Sequence, residues 1–221
     1  MGVIDAPDVW LQTREKATNT VARGALQLTT NSVPTIVPYF DGEQLWLTRV
    51  SGSSTVTPLN LSTNVLGTPV SIGQNPVGIW SDGYFLWALS SLGALQRYDL
   101  SVETNNETFN LAASTYRGLT GTNDTLWTIN TVSGNVEKYD QATLTLGPTF
   151  TAPSDAVDLH FDGEVLWILT GVAGVQGTIK RYDPTTGTQM SSDNIRNYGL
   201  TGTAIGMDGD DEFIYYTEAF Q

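Results

Sequence analysis

The chain has no cysteine among its 221 residues. That excludes disulfide staples and thiolate-based metal or redox chemistry. Basic residues are scarce: 10 Lys and Arg stand against 23 Asp and Glu, for a net charge of −13. Affinity for a nucleic-acid backbone comes from Lys and Arg neutralising phosphates, so no nucleic-acid partner is expected. An anionic membrane surface is disfavoured for the same reason. No apolar run approaches the roughly 18 residues of a membrane-crossing helix, so no membrane partner is expected either. The N-terminal run Met1-Gly2-Val3-Ile4-Asp5-Ala6-Pro7-Asp8 has acids where a basic leader region would sit. A signal peptide is therefore not expected, and the chain reads as cytoplasmic or particle-borne. There is one histidine, and charged residues total only 15%.

Gly, Thr, Asn and Ser fill the space that charge leaves, and aromatics are spread along the chain. Their spacing is periodic. Asp41-Gly42-Glu43-Gln44-Leu45-Trp46 recurs as Asp82-Gly83-Tyr84-Phe85-Leu86-Trp87 and as Asp162-Gly163-Glu164-Val165-Leu166-Trp167. Thr122-Asn123-Asp124-Thr125-Leu126-Trp127 is a degenerate copy, and Asp210-Asp211-Glu212-Phe213-Ile214-Tyr215 closes the series. The anchors are thus Trp46, Trp87, Trp127, Trp167 and Tyr215. A second motif follows the middle three: Arg97-Tyr98-Asp99, Lys138-Tyr139-Asp140 and Arg181-Tyr182-Asp183. In the first repeat Pro58-Leu59-Asn60 takes its place.

Each unit reads as four short strands. An apolar stretch leads into an Asp-Gly turn, a Leu-Trp strand returns, a third strand carries the Tyr-Asp motif, and a fourth follows a polar turn. Radial repetition of such a unit predicts an all-β, five-bladed β-propeller of roughly 40-residue repeats. The fifth unit stops after its second strand. Gly24-Ala25-Leu26-Gln27 is identical to Gly93-Ala94-Leu95-Gln96. The N-terminal strand is therefore expected to complete the fifth blade beside residues 203–218 and close the ring. On this division residues 1–20 form an N-terminal arm and residues 21–221 the propeller. Val9, Trp10 and Leu11 make the arm a partner-binding candidate.

The repeat resembles the blades of the streptogramin-lyase, NHL and related bacterial propeller groups. Asn75 to Asp99 and Asp162 to Gly187 carry the resemblance, through Pro-x-Gly-Ile, Asp-Gly-x-Leu-Trp and Arg-Tyr-Asp elements. It is also similar to repeats of bacteriophage structural proteins. The first resemblance implies the fold. The second implies a virion component, as a capsid decoration or tail protein, with other assembly proteins as partners.

Chemistry-bearing residues are thin. His160 occupies a position that other repeats give to Tyr39, Trp80, Thr120 and Asp208, so it reads as a filler of aromatic size. The lyase family that the repeat resembles uses histidines as proton acceptors, but one histidine at a variable position does not carry that activity over. Arg117, Asp155, Asp158 and Asp208 are placed to converge on the central channel with His160. No metal site and no cofactor are expected: Asp208-Gly209-Asp210-Asp211-Glu212 departs from the calcium-loop pattern. Trp80 breaks the anchor period and is expected at an exposed ligand surface, with Tyr84 and Phe85 at a hairpin tip. The reading is a non-enzymatic structural or interaction protein. A glycan-binding propeller is the alternative, and a hydrolase or lyase using the channel carboxylates is the third.

Overall fold

A computed structural model describes residues 8–15, 21–29, 36–40, 45–49, 55–60, 62–63, 65–72, 76–101, 104–112, 115–171, 178–190, 203–209 and 213–220. The described elements are strands and turns. They are β1 (Asp8–Glu15), β2 (Val21–Thr29), β3 (Ile36–Phe40), β4 (Leu45–Arg49), β5 (Thr55–Asn60), β6 (Val65–Leu66) and β7 (Val70–Ser71). Next come β8 (Pro76–Ser81), β9 (Phe85–Ser90), β10 (Ala94–Asp99), β11 (Thr104–Asn110), β12 (Tyr116–Gly121), β13 (Thr125–Asn130), β14 (Asn135–Asp140) and β15 (Phe150–Thr151). The last are β16 (Ala156–Phe161), β17 (Leu166–Thr170), β18 (Thr178–Tyr182), β19 (Thr203–Gly209) and β20 (Phe213–Phe220).

The molecule is an all-β propeller. Its strands group into antiparallel sheets headed by β3, β8, β12, β16 and β19. The first strands touch in the cycle β3–β8–β12–β16–β19–β3, so they line the axis and later strands lie outward. Antiparallel order follows from the short polar turns, which can join only neighbours running in opposite directions. Among the described residues, no helix is long and apolar enough to cross a membrane.

The two sequence motifs meet across one strand pair. Trp87 stands opposite Arg97, Trp127 opposite Lys138, and Trp167 opposite Arg181. The cations lie 5.6, 5.4 and 5.1 Å from the respective ring centroids, in range for cation–π attraction worth about 0.5–1 kcal/mol each. The alternate residues Leu86, Leu126, Leu166, Tyr98, Tyr139 and Tyr182 are all buried. This period-2 division, cation and indole on one side, Leu and Tyr on the other, is why the motifs recur together. In the sheet headed by β3, Trp46 stands opposite Pro58.

The Asp-Gly turns have a division of labour. Gly83 and Gly163 supply positive φ angles of 89° and 99°. The aspartates act as acceptors: Asp82 Oδ1 takes the N–H groups of Tyr84 and Phe85, and Asp162 Oδ1 those of Glu164 and Val165. Their other oxygens accept the anchor indoles, Trp87 Nε1 at 3.3 Å and Trp167 Nε1 at 2.6 Å. Thr122 occupies this place in the degenerate copy, and buried Trp127 Nε1 has no hydrogen-bond partner.

Where the chain's two ends meet, the pairing departs from the sequence expectation. β1 pairs with β20 along its whole length, from Asp8 opposite Phe220 to Glu15 opposite Phe213. The strand holding Gly24–Gln27, β2, lies outside β1. Internal identity pointed to the wrong one of two strands, because both satisfy the same backbone ladder. Residues 1–7 and 16–20 of the expected arm lie outside the described residues.

Candidate functional site

Register places five equivalent residues at the axial end next to the Asp-Gly turns. Tyr39, Trp80, Thr120, His160 and Asp208 each stand opposite their sheet's anchor. All five are buried. Several lean on the next sheet. Tyr39 Oη donates to the Ser81 carbonyl at 3.0 Å, and Trp80 packs where a side chain at Gly121 would otherwise sit. Thr120 Oγ1 accepts the Phe161 N–H at 3.1 Å, and Asp208 Oδ2 accepts the Phe40 N–H. The last contact joins the sheet of β19 to that of β3 by the same geometry that joins β12 to β16.

Trp80 corrects the sequence reading. It is 8% exposed and belongs to the central apolar cluster with Tyr39, Ile79, Trp87 and Leu119. Its position lies on a first strand, and a first strand faces the axis.

Three of the expected channel residues do come together. His160 is 6% exposed and Asp208 4%. His160 Nδ1 lies 2.6 Å from Asp208 Oδ1, yet neither ring nitrogen is aligned for a hydrogen bond with a described residue. Asp158 is 1% exposed. Its Oδ2 accepts the Met207 N–H at 2.7 Å and its Oδ1 the Leu159 N–H at 2.9 Å. Burial pushes the Asp158 carboxyl well above the usual carboxylate range, and the Asp208 charge adds to the rise, against the two N–H donors that lower it. Asp158 stands where β8 and β12 have Gly78 and Gly118. A Cβ at Gly118 would lie 2.4 Å from Asp158 Oδ1, and Gly118 holds a φ of +61°. Glycine there makes room for the neighbouring carboxyl.

Arg117 does not join them. Its side chain is exposed and its guanidinium donates to the Ala156 carbonyl at 3.3 Å. Asp155 is also apart: its charge, after burial, helps raise the Tyr182 hydroxyl above its ordinary value. The carboxylates and imidazole of the axis could move protons only for a substrate that reaches them, and each is at least nine-tenths covered. In this arrangement they tie first strands together. Among the described residues, no group of three or more His, Asp or Glu is placed to hold a metal. Residues 210–212 of the acidic run lie outside the described residues.

A surface groove of about 350 Å³ lies at the Asp-Gly end, lined by Gly83, Tyr84, Phe85, Asp99, Leu100 and Ser101. Tyr84 is 78% exposed, whereas Phe85 is half-buried under the Arg97 guanidinium, 4.5 Å from its ring centroid. Of this lining, sequence reasoning pointed to Tyr84 and Phe85 and not to Leu100 and Ser101. The signal was the turn that follows each Tyr-Asp motif, which antiparallel pairing brings beside the Asp-Gly turn. Val9, Trp10 and Leu11 pair through their backbones with Ala219, Glu218 and Thr217; their side chains lie outside the described residues.

No family model matches the sequence, and no curated protein matches it. Solved structures do match in fold. A Myxococcus xanthus glutaminyl cyclase superposes with a TM-score of 0.65 at 13% identity, covering 95% of each chain. A chain of a nidogen/laminin complex gives 0.62 at 16% identity, covering 94% of this chain and 84% of that one. A Kuenenia stuttgartiensis hydrazine synthase gives 0.53 at 14% identity over 79% of this chain. The present chain spans about half of that synthase chain, 53%. Identities this low carry the fold alone.

Proposed function

We propose that the chain is a non-catalytic interaction scaffold. On this reading it is a five-bladed propeller whose ring is closed by the N-terminal strands β1 and β2, serving as a structural component of a larger assembly. The observation that carries the reading is the filled axis. Tyr39, Trp80, Thr120, His160 and Asp208 stand at equivalent positions at the axial end beside the Asp-Gly turns, and all are buried. Five sheets with touching first strands support the blade count, and the β1–β20 ladder supports the closure. The specific setting we propose is a phage particle, as capsid decoration or tail protein, with other virion proteins as partners. The Cys-free, Lys-poor composition and the repeat pattern support it.

The test is mass spectrometry of density-banded particles from the native host, with copy number per particle. A stoichiometric signal is expected. Recovery only in the soluble fraction would overturn the virion setting. For the absence of catalysis, no turnover is expected on a broad ester and glycoside panel; a turnover that Asp158→Asn or His160→Ala abolishes would refute it.

One observation favours a second reading, a glycan-binding propeller. The Tyr84 ring stands free beside the Asp99 and Ser101 polar groups in a groove large enough for a sugar ring, and sugars stack on aromatic faces. A glycan array with the wild type and Tyr84→Ala decides it. Hits lost in Tyr84→Ala support the lectin reading, and a blank array removes it.

A further inference from the structure

One turn position sets a single repeat apart. The third residue of the Asp-Gly turn or its degenerate copy is Glu43, Asp124, Glu164 and Glu212 in four repeats, whereas the repeat headed by β8 has Tyr84. The turn itself does not require the exchange. Tyr84 N–H and Glu164 N–H donate to their turn aspartates alike, at 2.9 and 3.1 Å, so the same backbone is made with either side chain. The Tyr84 side chain points to solvent and, with Phe85 and Leu100, gives the groove beside it an apolar wall. Exposing an aromatic ring where an acid serves elsewhere needs a reason beyond the fold.

The groove belongs to a row of stitched turns. Leu100 N–H donates to the Tyr84 carbonyl at 3.0 Å. On the other side Gln141 Nε2 donates to Asp82 Oδ2 at 3.0 Å, and Gln141 N–H to the Asp124 carbonyl at 3.0 Å. Residues 82–84, 99–101, 122–124 and 140–149 are thereby tied together. They hold Asp82, Asp99, Asp124 and Asp140 and no Lys, Arg or His, and the sequence continues after Ser101 with Val102 and Glu103. Hydrogen bonds from the Thr143 N–H and hydroxyl hold Asp140 below the usual carboxylate range, so it stays ionised. The cations of β10 and β14 are engaged. Arg97 pairs with Glu107 at 2.9 Å and lies over Phe85, and Lys138 lies 5.4 Å from the Trp127 ring centroid. Among the described residues none lies over the Tyr84 ring.

We infer that this groove is a docking site for a basic segment of a partner protein, with an Arg side chain lying on the Tyr84 ring. The selecting feature is an open aromatic face in acid-only surroundings. A guanidinium is planar, weakly hydrated and stacks on aromatic faces. Its methylene stem suits the Leu100 and Phe85 wall, and the field of the four carboxylates concentrates cations there. An acidic segment is repelled, and a neutral sugar gains the ring without the field. The inference rests on the scaffold reading and names the chemistry of the partner that the scaffold takes.

The test is a fluorescence-anisotropy titration of the intact chain with a labelled peptide of alternating Arg and Gly, against the same peptide with citrulline in place of Arg. Saturable binding of the Arg peptide is expected, at least about 10-fold tighter than that of the citrulline peptide. The decisive variant is Tyr84→Glu, which restores the acid of the other repeats. It makes the surface more negative, so diffuse attraction predicts tighter binding, whereas docking on the ring predicts a Kd raised about 10-fold. Tyr84→Phe is expected to keep the affinity. Glu164→Gln, at the same place in another repeat, is expected to leave it within about 2-fold. Thermal melting confirms the fold of each variant. No saturable binding, equal binding of the citrulline peptide, or binding that Tyr84→Glu leaves unchanged or tightens overturns the inference. So does a glycan-array hit that Tyr84→Glu abolishes while the Arg peptide goes unbound, which gives the groove to a sugar. Failure of the scaffold reading shows separately, as a turnover on the ester and glycoside panel, which the peptide titration does not read.

Discussion

The degenerate turn at Thr122 offers a gain-of-stability experiment. In the two described Asp-Gly turns the aspartate takes two backbone N–H groups and the anchor indole, and Asp82 also accepts the Gln141 amide. Thr122 satisfies less. Its hydroxyl accepts only the Asp124 N–H, at 3.3 Å, while its carbonyl takes the Thr125 N–H at 3.3 Å. Trp127 Nε1 stays buried and unpaired. A buried donor without a partner costs about 1–3 kcal/mol. Restoring the motif requires both residues, because the intact turns use a glycine with positive φ and Asn123 is not in that region. The variant is therefore Thr122→Asp with Asn123→Gly. Against the gain stands a new carboxylate near Asp124 in an acidic chain, worth up to about 1 kcal/mol at close range in water. The net expectation is about 1 kcal/mol of added stability, or a rise in Tm of roughly 2–4 °C for a domain of this size. Calorimetry and urea unfolding read it, with Thr122→Asn plus Asn123→Gly as an intermediate that has one oxygen fewer. The rank order aspartate above asparagine above wild type is expected. An unchanged or lowered Tm at constant m-value would show that the indole bond is not what the Asp-Gly motif contributes.

Other perturbations follow the same contacts. Gly118→Ala drives a Cβ into Asp158 and into a left-handed backbone position, so a loss above about 1 kcal/mol is expected in denaturant melts; a neutral result would mean the inner strands are free to shift. Asp158 is raised in the folded state, so the fold binds its proton more tightly than the unfolded chain. Stability should therefore fall as pH rises from the unfolded carboxyl value near about 4. Asp140 and Asp183 act oppositely, their contribution being lost only as pH falls below that region. Asp158→Asn should thus flatten the slope of Tm against pH above about 5, and an unaltered slope would assign it elsewhere. At the alkaline end Tyr116, Tyr139 and Tyr182 are all raised, burial being the largest cause. Stability should drop as pH passes the unfolded tyrosine value near about 10, and Tyr139→Phe should soften that drop. Arg97→Ala removes a guanidinium that lies over Phe85, Trp87 and Phe109 and pairs with Glu107; a loss of about 1 kcal/mol is expected, with Arg97→Lys recovering part of it.

The repeat was legible because its two motifs serve one strand pair, so the anchor spacing transmits the architecture directly. The axial residues were harder. Asp158, His160 and Asp208 were placed on first strands correctly, but Arg117 was grouped with them by the same logic and lies elsewhere. A bulge between Arg117 and Thr120 interrupts the alternation of faces, and no parity count along the sequence survives such an insertion. Trp80 was misread for a related reason: departure from the anchor period suggested a surface role, whereas the axis is a second buried layer with its own period. Leu100 and Ser101 were missed because their groove is made by two turns, and only the pairing of β9 with β10 sets them side by side.

Because β1 lies between β20 and β2, one sheet is assembled from both ends of the chain. During synthesis β1 can pair with β2 at once, but its other edge has no partner until Phe213–Phe220 has left the ribosome, a wait of roughly 10–40 s at typical elongation rates. The last sheet is consequently the last to fold, and its nascent strands need shielding from neighbours in the meantime. The same adjacency makes the present ends interchangeable with other cut points. With Asp8 opposite Phe220, a short linker between them would yield circular permutants, and opening the chain at any of the polar turns should give back the same propeller.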